Sequence, residues 1–435
     1  MPYQQVDLIE VLAWGRRVAA IALDPSTGFY GFEYAPEWLQ GSIELAPLKM
    51  PNRNGVYQFT DLPPETYYRL PAMIADSLPD AFGNALVNAS LAGMGVSESQ
   101  ITPLGRLAYA ADRAMGALTF KPPVMPQKEI STALQLADLV TAARATISGN
   151  FNNGDTLVDS LRQLIQVGTS AGGARAKAVI AYNKSTGQIR SGQFDPPEGF
   201  EHWLIKLDGI DGSMEGQKDR LEGSHQYGRI EYAYYLMAAA AGIEMSECQL
   251  LSEGPRTHFL TKRFDRGPQG QRIHLQSLCA VAHLDYKMRD THSYSQYFLT
   301  VSQLGLGPDA LAQAFRRMVF NVAAVNRDDH TKNVAFLLPE RGHWQLAPAF
   351  DVIHSYKPSG EWTQRHQMSV NGKFENITQA DIEQVGNLHG VPAYRQIISQ
   401  VLAAVAGWKQ YAQLSGLSTD VTQAITDDIE TFNPR

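Results

Sequence analysis

Asn326-Arg327-Asp328-Asp329-His330-Thr331-Lys332-Asn333, with Asp351 eighteen residues further on in Pro348-Ala349-Phe350-Asp351-Val352, is the stretch on which the reading of this chain turns. It follows an apolar stripe at helical spacing (Leu311, Phe315, Met318, Val319, Val322, Val325) and precedes two strand-like runs, Val334–Leu338 and Trp344–Leu346. Polar functional groups are therefore crowded into a turn between two buried elements. One reading is that Asp328, Asp329 and Asn333 only cap and turn the chain, as Asp and Asn commonly do.

Spacing points to chemistry. Asp328 and Asn333 are five positions apart, the Asp-x-x-x-x-Asn arrangement of a phosphoryl-transfer loop. In that chemistry the Asp accepts the proton of the attacking hydroxyl, and the Asn amide oxygen binds a Mg²⁺ ion bridging the ATP phosphates. Asp351 stands where the second metal-binding carboxylate belongs, and magnesium prefers one or two carboxylates plus phosphate oxygens. A metallohydrolase with Asp328, His330 and Asp351 as ligands is the competing reading, weakened because no His pair at helical spacing accompanies them.

Working outward, Lys206 sits inside the apolar run Trp203-Leu-Ile-Lys-Leu207, where a lysine is costly unless paired or used. A lysine so placed holds nucleotide phosphates and pairs with a helical glutamate. Glu231, early on a helix expected over Tyr227–Ala241, is the candidate partner. The small-residue loop Gly168–Lys177 is suited to cradle phosphate through backbone N–H groups, with Lys177 adding charge. It lacks both standard glycine signatures.

Further upstream, Val6–Trp14, Val18–Leu23 and the aromatic-rich Gly28–Glu33 read as strands. Leu78-Pro-Asp-Ala-Phe-Gly83 opens a helix reaching about Leu91. Three prolines within Lys121–Pro126 suit a domain edge, and helices are expected after Ser131/Thr132 and from Asp155. Ala178–Tyr182 and Thr257–Phe264 read as strands. Near the end, Tyr394, Ile397, Ile398, Val401, Leu402, Val405 and Trp408 form one helical stripe.

Of 435 residues, 44% are hydrophobic and 19% charged, an ordinary globular balance, and the net charge is −7. Unaided DNA binding normally needs a basic face, so the balance argues weakly against it. Cys248 and Cys279 lack zinc spacing and are expected to be buried apolar side chains. No signal peptide is evident. The most apolar stretch, Tyr232–Ile243, is far short of the ~20 residues of a membrane helix, so a cytoplasmic protein without membrane contact is expected.

The ordered series Thr169–Lys177, His202–Leu207, Lys262-Arg-Phe-Asp-Arg266, Asp328–Asn333 and Ala347–Val352 resembles that of the HipA toxin kinases. Leu78–Gly83 and Gly105–Leu118 are similar to that family's N-terminal module. The resemblance implies an α+β, two-lobed, protein-kinase-like fold of HipA type, with a mixed α/β N-terminal lobe region and an all-α C-terminal lobe. The expected division is 1–125 (N-terminal subdomain), 126–270 (kinase N-lobe region) and 271–435 (helical C-lobe). It implies a serine/threonine protein kinase using ATP and Mg²⁺, the toxin of a toxin–antitoxin pair that acts on a translation component such as an aminoacyl-tRNA synthetase. A HipB-like helix-turn-helix antitoxin, contacting operator DNA, is the implied partner.

By motif match, Asp328 is the proton acceptor, and Asn333 and Asp351 are the metal ligands. Ser170, Gly172, Gly173, Ala174, Arg175, Lys177 and Lys206 line the phosphates, with Glu231 supporting Lys206. Lys262, Arg263 and Phe264 form the adenine-contacting hinge, and His330, Lys332 and Phe350 complete the nucleotide site. Ser170 is the implied autophosphorylation site, with Thr169 beside it. A small-molecule kinase and a catalytically weak corepressor are the alternatives.

Overall fold

The structure, a computed structural model, describes residues 5–92, 95–123, 136–148, 176–192, 196–208 and 226–434. The chain divides into two compact units. The first comprises 1–216, 260–276 and 338–342; the second comprises 217–259, 277–337 and 343–435.

In the first unit, β1 (Leu8–Ala13), β2 (Arg16–Leu23), β3 (Tyr30–Tyr34), β4 (Val56–Tyr57) and β5 (Leu118–Lys121) form one sheet of order β4-β3-β2-β1-β5. Its ladders are antiparallel. The three expected N-terminal strands are thus present. Against them lie α1 (Ala81–Ala92), opened by Leu78-Pro-Asp as expected, and α2 (Pro103–Ala110). Pro103 at the start of α2 and the Thr102 hydroxyl accepting from the Gly105 N–H set its beginning. Of α3 (Leu136–Ser148), within the helix expected after Ser131/Thr132, Leu139, Val140, Ala142 and Ala143 are buried. The helix expected from Asp155 and most of the Gly168–Lys177 loop lie outside the described residues.

A second antiparallel group joins β6 (Lys177–Tyr182), β7 (Ile189–Ser191) and β8 (Glu201–Lys206) in the order β7-β6-β8. Every residue of β6 is buried, so its apolar run does not alternate. The register sets Lys177 directly opposite Lys206.

In the second unit, α4 (Tyr227–Ala240) runs almost to the expected end. It is followed by β9 (Cys248–Glu253) and β10 (Arg256–Lys262), whose last residues belong to the first unit. The helical core is built on α5 (Tyr294–Gln303), α6 (Gly307–Ala323), α7 (Gln379–Leu388), α8 (Tyr394–Ala406), α9 (Trp408–Leu414) and α10 (Thr419–Phe432). Phe298, Phe315 and Tyr394 stack edge to face or tilted between α5, α6 and α8, and Tyr234 packs on Phe320 and Trp408. The expected continuous helix through Trp408 instead breaks at Gly407, so Trp408 begins a new helix. Cys248 and Cys279 are buried, as anticipated. Helices dominate this region, with short strands threaded through it. The pair His292–Ser293 and Met368–Ser369 is parallel, and Ala335–Leu338 pairs antiparallel with Gln345–Leu346. These strands satisfy backbone groups of segments that run buried between helices. Among the described residues, no helix is long and apolar enough to cross a membrane.

Candidate active site

The end of α6 creates the loop. Its last turn closes with the Asn326 N–H bonded to the Asn321 carbonyl (2.9 Å) and Val325 in the left-handed region at φ 56°. That geometry is a Schellman closure, in which glycine usually fills the left-handed position. A β-branched residue there is strained by about 1–3 kcal/mol. The Ala324 carbonyl accepts from the buried Tyr234 hydroxyl (2.6 Å), so the helix terminus is satisfied inside the core. The chain is thereby turned sharply into Asn326–Asn333.

Asp351 is brought to this loop by backbone pairing. Asn326 bridges Ser355 in parallel, with Ser355 N–H to the Val325 carbonyl (3.1 Å) and Arg327 N–H to the Ser355 carbonyl (3.1 Å). Asp351 itself has φ 52°, a second non-glycine residue in the left-handed region. Backbone strain of this kind clusters at functional sites because surrounding contacts must hold it.

Asp328, Asn333, Phe350 and Asp351 line one cavity, with Arg317 and Asn321 behind them; its empty space is about 470 Å³, partly open to solvent. His330 also lines it, with Nε2 3.6 Å from Asp328 Oδ1 and its ring tilted against Tyr286. The Lys332 ammonium stands 5.4 Å from the Tyr286 ring centre. Asn333 Nδ2 donates to the Asp328 carbonyl at 2.8 Å, which leaves its Oδ1 as the atom available to a cation. The donor set Asn333 Oδ1 plus the Asp351 carboxylate is hard oxygen, the chemistry that suits Mg²⁺. No group of three or more His, Cys, Asp or Glu side chains among the described residues is arranged to hold a metal. The His/Asp metallohydrolase arrangement is therefore absent from the described residues.

The two adjacent aspartates differ completely. Asp328 keeps 43% of its side chain exposed, whereas Asp329 is fully buried. Asp329 Oδ2 accepts from the Tyr294 hydroxyl (2.7 Å) and His366 Nδ1 (2.9 Å), and Oδ1 accepts from the Gln367 N–H (2.7 Å). Burial alone would raise its pKa; the His366 ring and these donors outweigh it and hold the carboxyl below its ordinary value. Burial, and then the Asp329 charge, push the Tyr294 hydroxyl well up, so it remains a neutral donor. Of the pair, only Asp328 has a carboxylate open to a ligand. Tyr294, His366 and Gln367 carried no local signal, since they lie 35 to 38 positions from Asp329 in the chain.

The remaining candidates divide between the units. In the first, Lys206 is half-buried at the end of β8. Lys177 is 2% exposed with Nζ 3.2 Å from Asp80 of the Leu78–Gly83 motif, a partner the sequence did not indicate. Lys262 bonds Glu201 across the sheet. The Arg263 side chain turns into the core, with Nε and a terminal nitrogen on Asp265 (2.9 and 2.7 Å), so its backbone is what remains for a hinge; its N–H bonds the His202 carbonyl. Phe264 is half-buried beside it. In the second unit, Glu231 is 3% exposed on α4. Thr169, Ser170, Gly172, Gly173, Ala174 and Arg175 lie outside the described residues.

Comparison with known proteins gives concordant results. Residues 9–121 match the HipA N-terminal domain and residues 169–408 the HipA-like C-terminal domain. "Putative kinase Y4dM" of Sinorhizobium fredii is 28% identical over 149 residues, covering 30% of this chain and 35% of that protein. A "Putative kinase" of Haemophilus influenzae is 26% identical over 136 residues, covering 28% and 40%. The chain thus aligns with between 35% and 40% of the length of these curated relatives. HipA of Shewanella oneidensis, solved with HipB and operator DNA, is 16% identical with a TM-score of 0.68, covering 97% of this chain and 95% of that one.

Proposed function

This chain belongs to the HipA family, and from that premise we propose that it is an ATP- and Mg²⁺-dependent serine/threonine protein kinase acting as the toxin of a toxin–antitoxin pair. The observation that carries the reading is the Asn333 amide, anchored on the Asp328 carbonyl beside Asp351 in one cavity. That bond fixes the Asn333 amide to the backbone of the residue whose carboxylate would accept the proton, the two roles that phosphoryl transfer to a hydroxyl uses.

In this reading Asp328 takes the proton of the acceptor hydroxyl, its open carboxylate being the one within reach of solvent. His330, 3.6 Å from that carboxylate, would line the nucleotide site. Asn333 Oδ1 and Asp351 would hold Mg²⁺, which supplies positive charge to the nucleotide phosphates. Lys206, supported by Glu231, would bind the α/β-phosphates, with Gly172, Gly173, Ala174 and Arg175 cradling them through backbone N–H groups. Lys262–Phe264 would contact the adenine, and Lys332 and Phe350 would border the nucleotide. Lys177, buried on Asp80, would act on the phosphates only through the position of β6. Ser170 is proposed as the autophosphorylation site; about −1.5 to −2 charge there would repel the phosphate-binding loop from a nucleotide-loaded, acidic site. A HipB-like helix-turn-helix protein is the proposed partner, and a translation component such as an aminoacyl-tRNA synthetase the proposed acceptor.

The test is transfer of label from γ-labelled ATP with Mg²⁺. Wild type is expected to label protein at serine or threonine, and Asp328→Asn to lower the rate by about 10²–10⁴-fold with its fold intact. Equal labelling by the two proteins, or labelling undiminished by a chelator, would overturn the proposal.

A further inference from the structure

We propose that Asp329 is a positioning residue that locks the loop presenting Asp328 onto the residues flanking a two-stranded parallel ladder. This rests on the phosphoryl-transfer reading given above and adds a residue to it.

A carboxylate with no exposed surface is expensive unless it is paired and hydrogen-bonded. Here both oxygens are used, and the donors share an origin. Tyr294 directly follows the strand His292–Ser293, while His366 and Gln367 directly precede the strand Met368–Ser369. These two strands pair with each other in parallel, His292 opposite Met368. The Ser369 hydroxyl ties them again by donating to the His292 carbonyl (3.3 Å). Asp329 thus plugs between residues that flank opposite ends of this short ladder, Tyr294 past the end of one strand and His366 and Gln367 ahead of the start of the other, and His366 is itself held by its N–H on the Phe374 carbonyl (3.0 Å).

The same plug reaches back to the start of the loop. Tyr294 Oη accepts from Asn321 Nδ2 (2.9 Å), and Asn321 Oδ1 accepts from Asn326 Nδ2 (2.9 Å). The first residue of the loop and Asp329 are therefore joined by side chains as well as by the chain. Thr331 fastens the next turn by donating to the Leu284 carbonyl (2.6 Å). Asp328 lies between two of these fixed points, and its carboxylate is left to face the cavity.

An apolar residue of similar volume could fill this space but could not fix its orientation. A carboxylate with matched donors on each oxygen admits one placement. Displacement of a reacting group by about 1 Å costs on the order of 10²-fold in rate, so loss of the plug is expected to fall on turnover and not on nucleotide binding.

The experiment compares wild type with Asp329→Asn, Tyr294→Phe and the double variant. Steady-state turnover of ATP with Mg²⁺ (label in protein plus released phosphate) is measured beside ATP affinity by titration and the thermal midpoint. Expected is a fall in kcat of about 10²-fold for Asp329→Asn and a smaller one for Tyr294→Phe. ATP affinity should stay within about twofold, and the double variant should lose less than the product of the single losses, as partners in one network do. Unchanged kcat per folded molecule in both single variants would overturn the inference, as would losses that multiply. Failure of both to fold would also overturn it, because the network would then hold the fold and not the loop. If wild type itself transfers no phosphate, the kinase reading fails instead.

Discussion

Replacing Asp265 by asparagine should loosen the first unit at one identifiable place. Asp265 is fully buried, gripped in two-point fashion by Arg263 and again by Arg266 (2.8 Å), and its Oδ2 also accepts the Gly116 N–H at 2.8 Å. Gly116 returns its carbonyl to Arg266 and Arg272. Its φ of 78° and a Leu275 nitrogen only 3.0 Å from where a Cβ would stand explain why glycine is required. Burial would raise the Asp265 pKa, but the two guanidiniums hold it well below the carboxylate range. Burial also draws Arg266 down to about 9. Asparagine keeps an acceptor and loses the charge, leaving two guanidiniums mutually repelling in the core. Breaking such a buried group by removing one partner costs about 3–5 kcal/mol, a large share of the roughly 5–15 kcal/mol that holds a protein folded.

A chain of two units need not unfold in one step, so the assay is local: hydrogen exchange at the Gly116 amide alongside urea unfolding. Exchange should accelerate by about 10²–10⁴-fold, the equivalent of that energy when opening limits protection. The sign with pH follows from the lowered pKa. The carboxylate contributes its stability above its unfolded value near 3.9 and loses it as pH falls toward the folded value. The deficit of the variant should therefore be constant from pH 5 to 8 and shrink below about pH 4. Replacing the trio together (Arg263→Met, Asp265→Leu, Arg266→Met) should cost less than Asp265→Asn alone. A deficit under about 1 kcal/mol, or unaltered Gly116 exchange, would refute the reasoning.

Two further outcomes test the same unit. Asp80→Ala should remove about 3–5 kcal/mol by taking away the carboxylate 3.2 Å from the buried Lys177 ammonium. Asp80→Asn should recover about 1 kcal/mol of this through the Gly83 N–H that Asp80 also accepts; equal urea midpoints for the two variants would contradict that division. His274, buried against the Leu45 carbonyl, is drawn down to about 4 by burial. Because the unfolded chain binds the proton first, stability should decline as pH falls from about 6.5 toward 4, by roughly 3 kcal/mol in all. His274→Gln should flatten that limb, and a limb as steep as wild type would locate the effect elsewhere.

Much of this was legible in one dimension because it depends on neighbours in the chain. The apolar stripe ending at Val325, the strand after Asn333 and the five-residue Asp328–Asn333 interval are local periodicities, and the structure reproduces the elements they implied. The break at Gly407 was missed because the apolar stripe continues across it while the backbone does not. Lys177 read as a phosphate ligand because a lysine after a small-residue loop looks available; burial against Asp80, 97 positions earlier, makes it unavailable to solvent. Arg263 was likewise read from its place in the hinge, while its side chain turns inward to Asp265.

The amino-acid sequence by itself indicated most of the helices and strands that frame the loop, and set Asp328, Asn333 and Asp351 at the spacing expected for phosphoryl transfer. The five-residue interval to Asn333 singled out Asp328 of the two adjacent aspartates, but it could not say what Asp329 does. That was decided by packing: Asp329 accepts from residues flanking both strands of a ladder drawn from distant parts of the chain, both of its oxygens are engaged there, and Asp328 is left facing the cavity. Solvent access and hydrogen-bond saturation are properties of the folded surface, and only the tertiary structure distributes them.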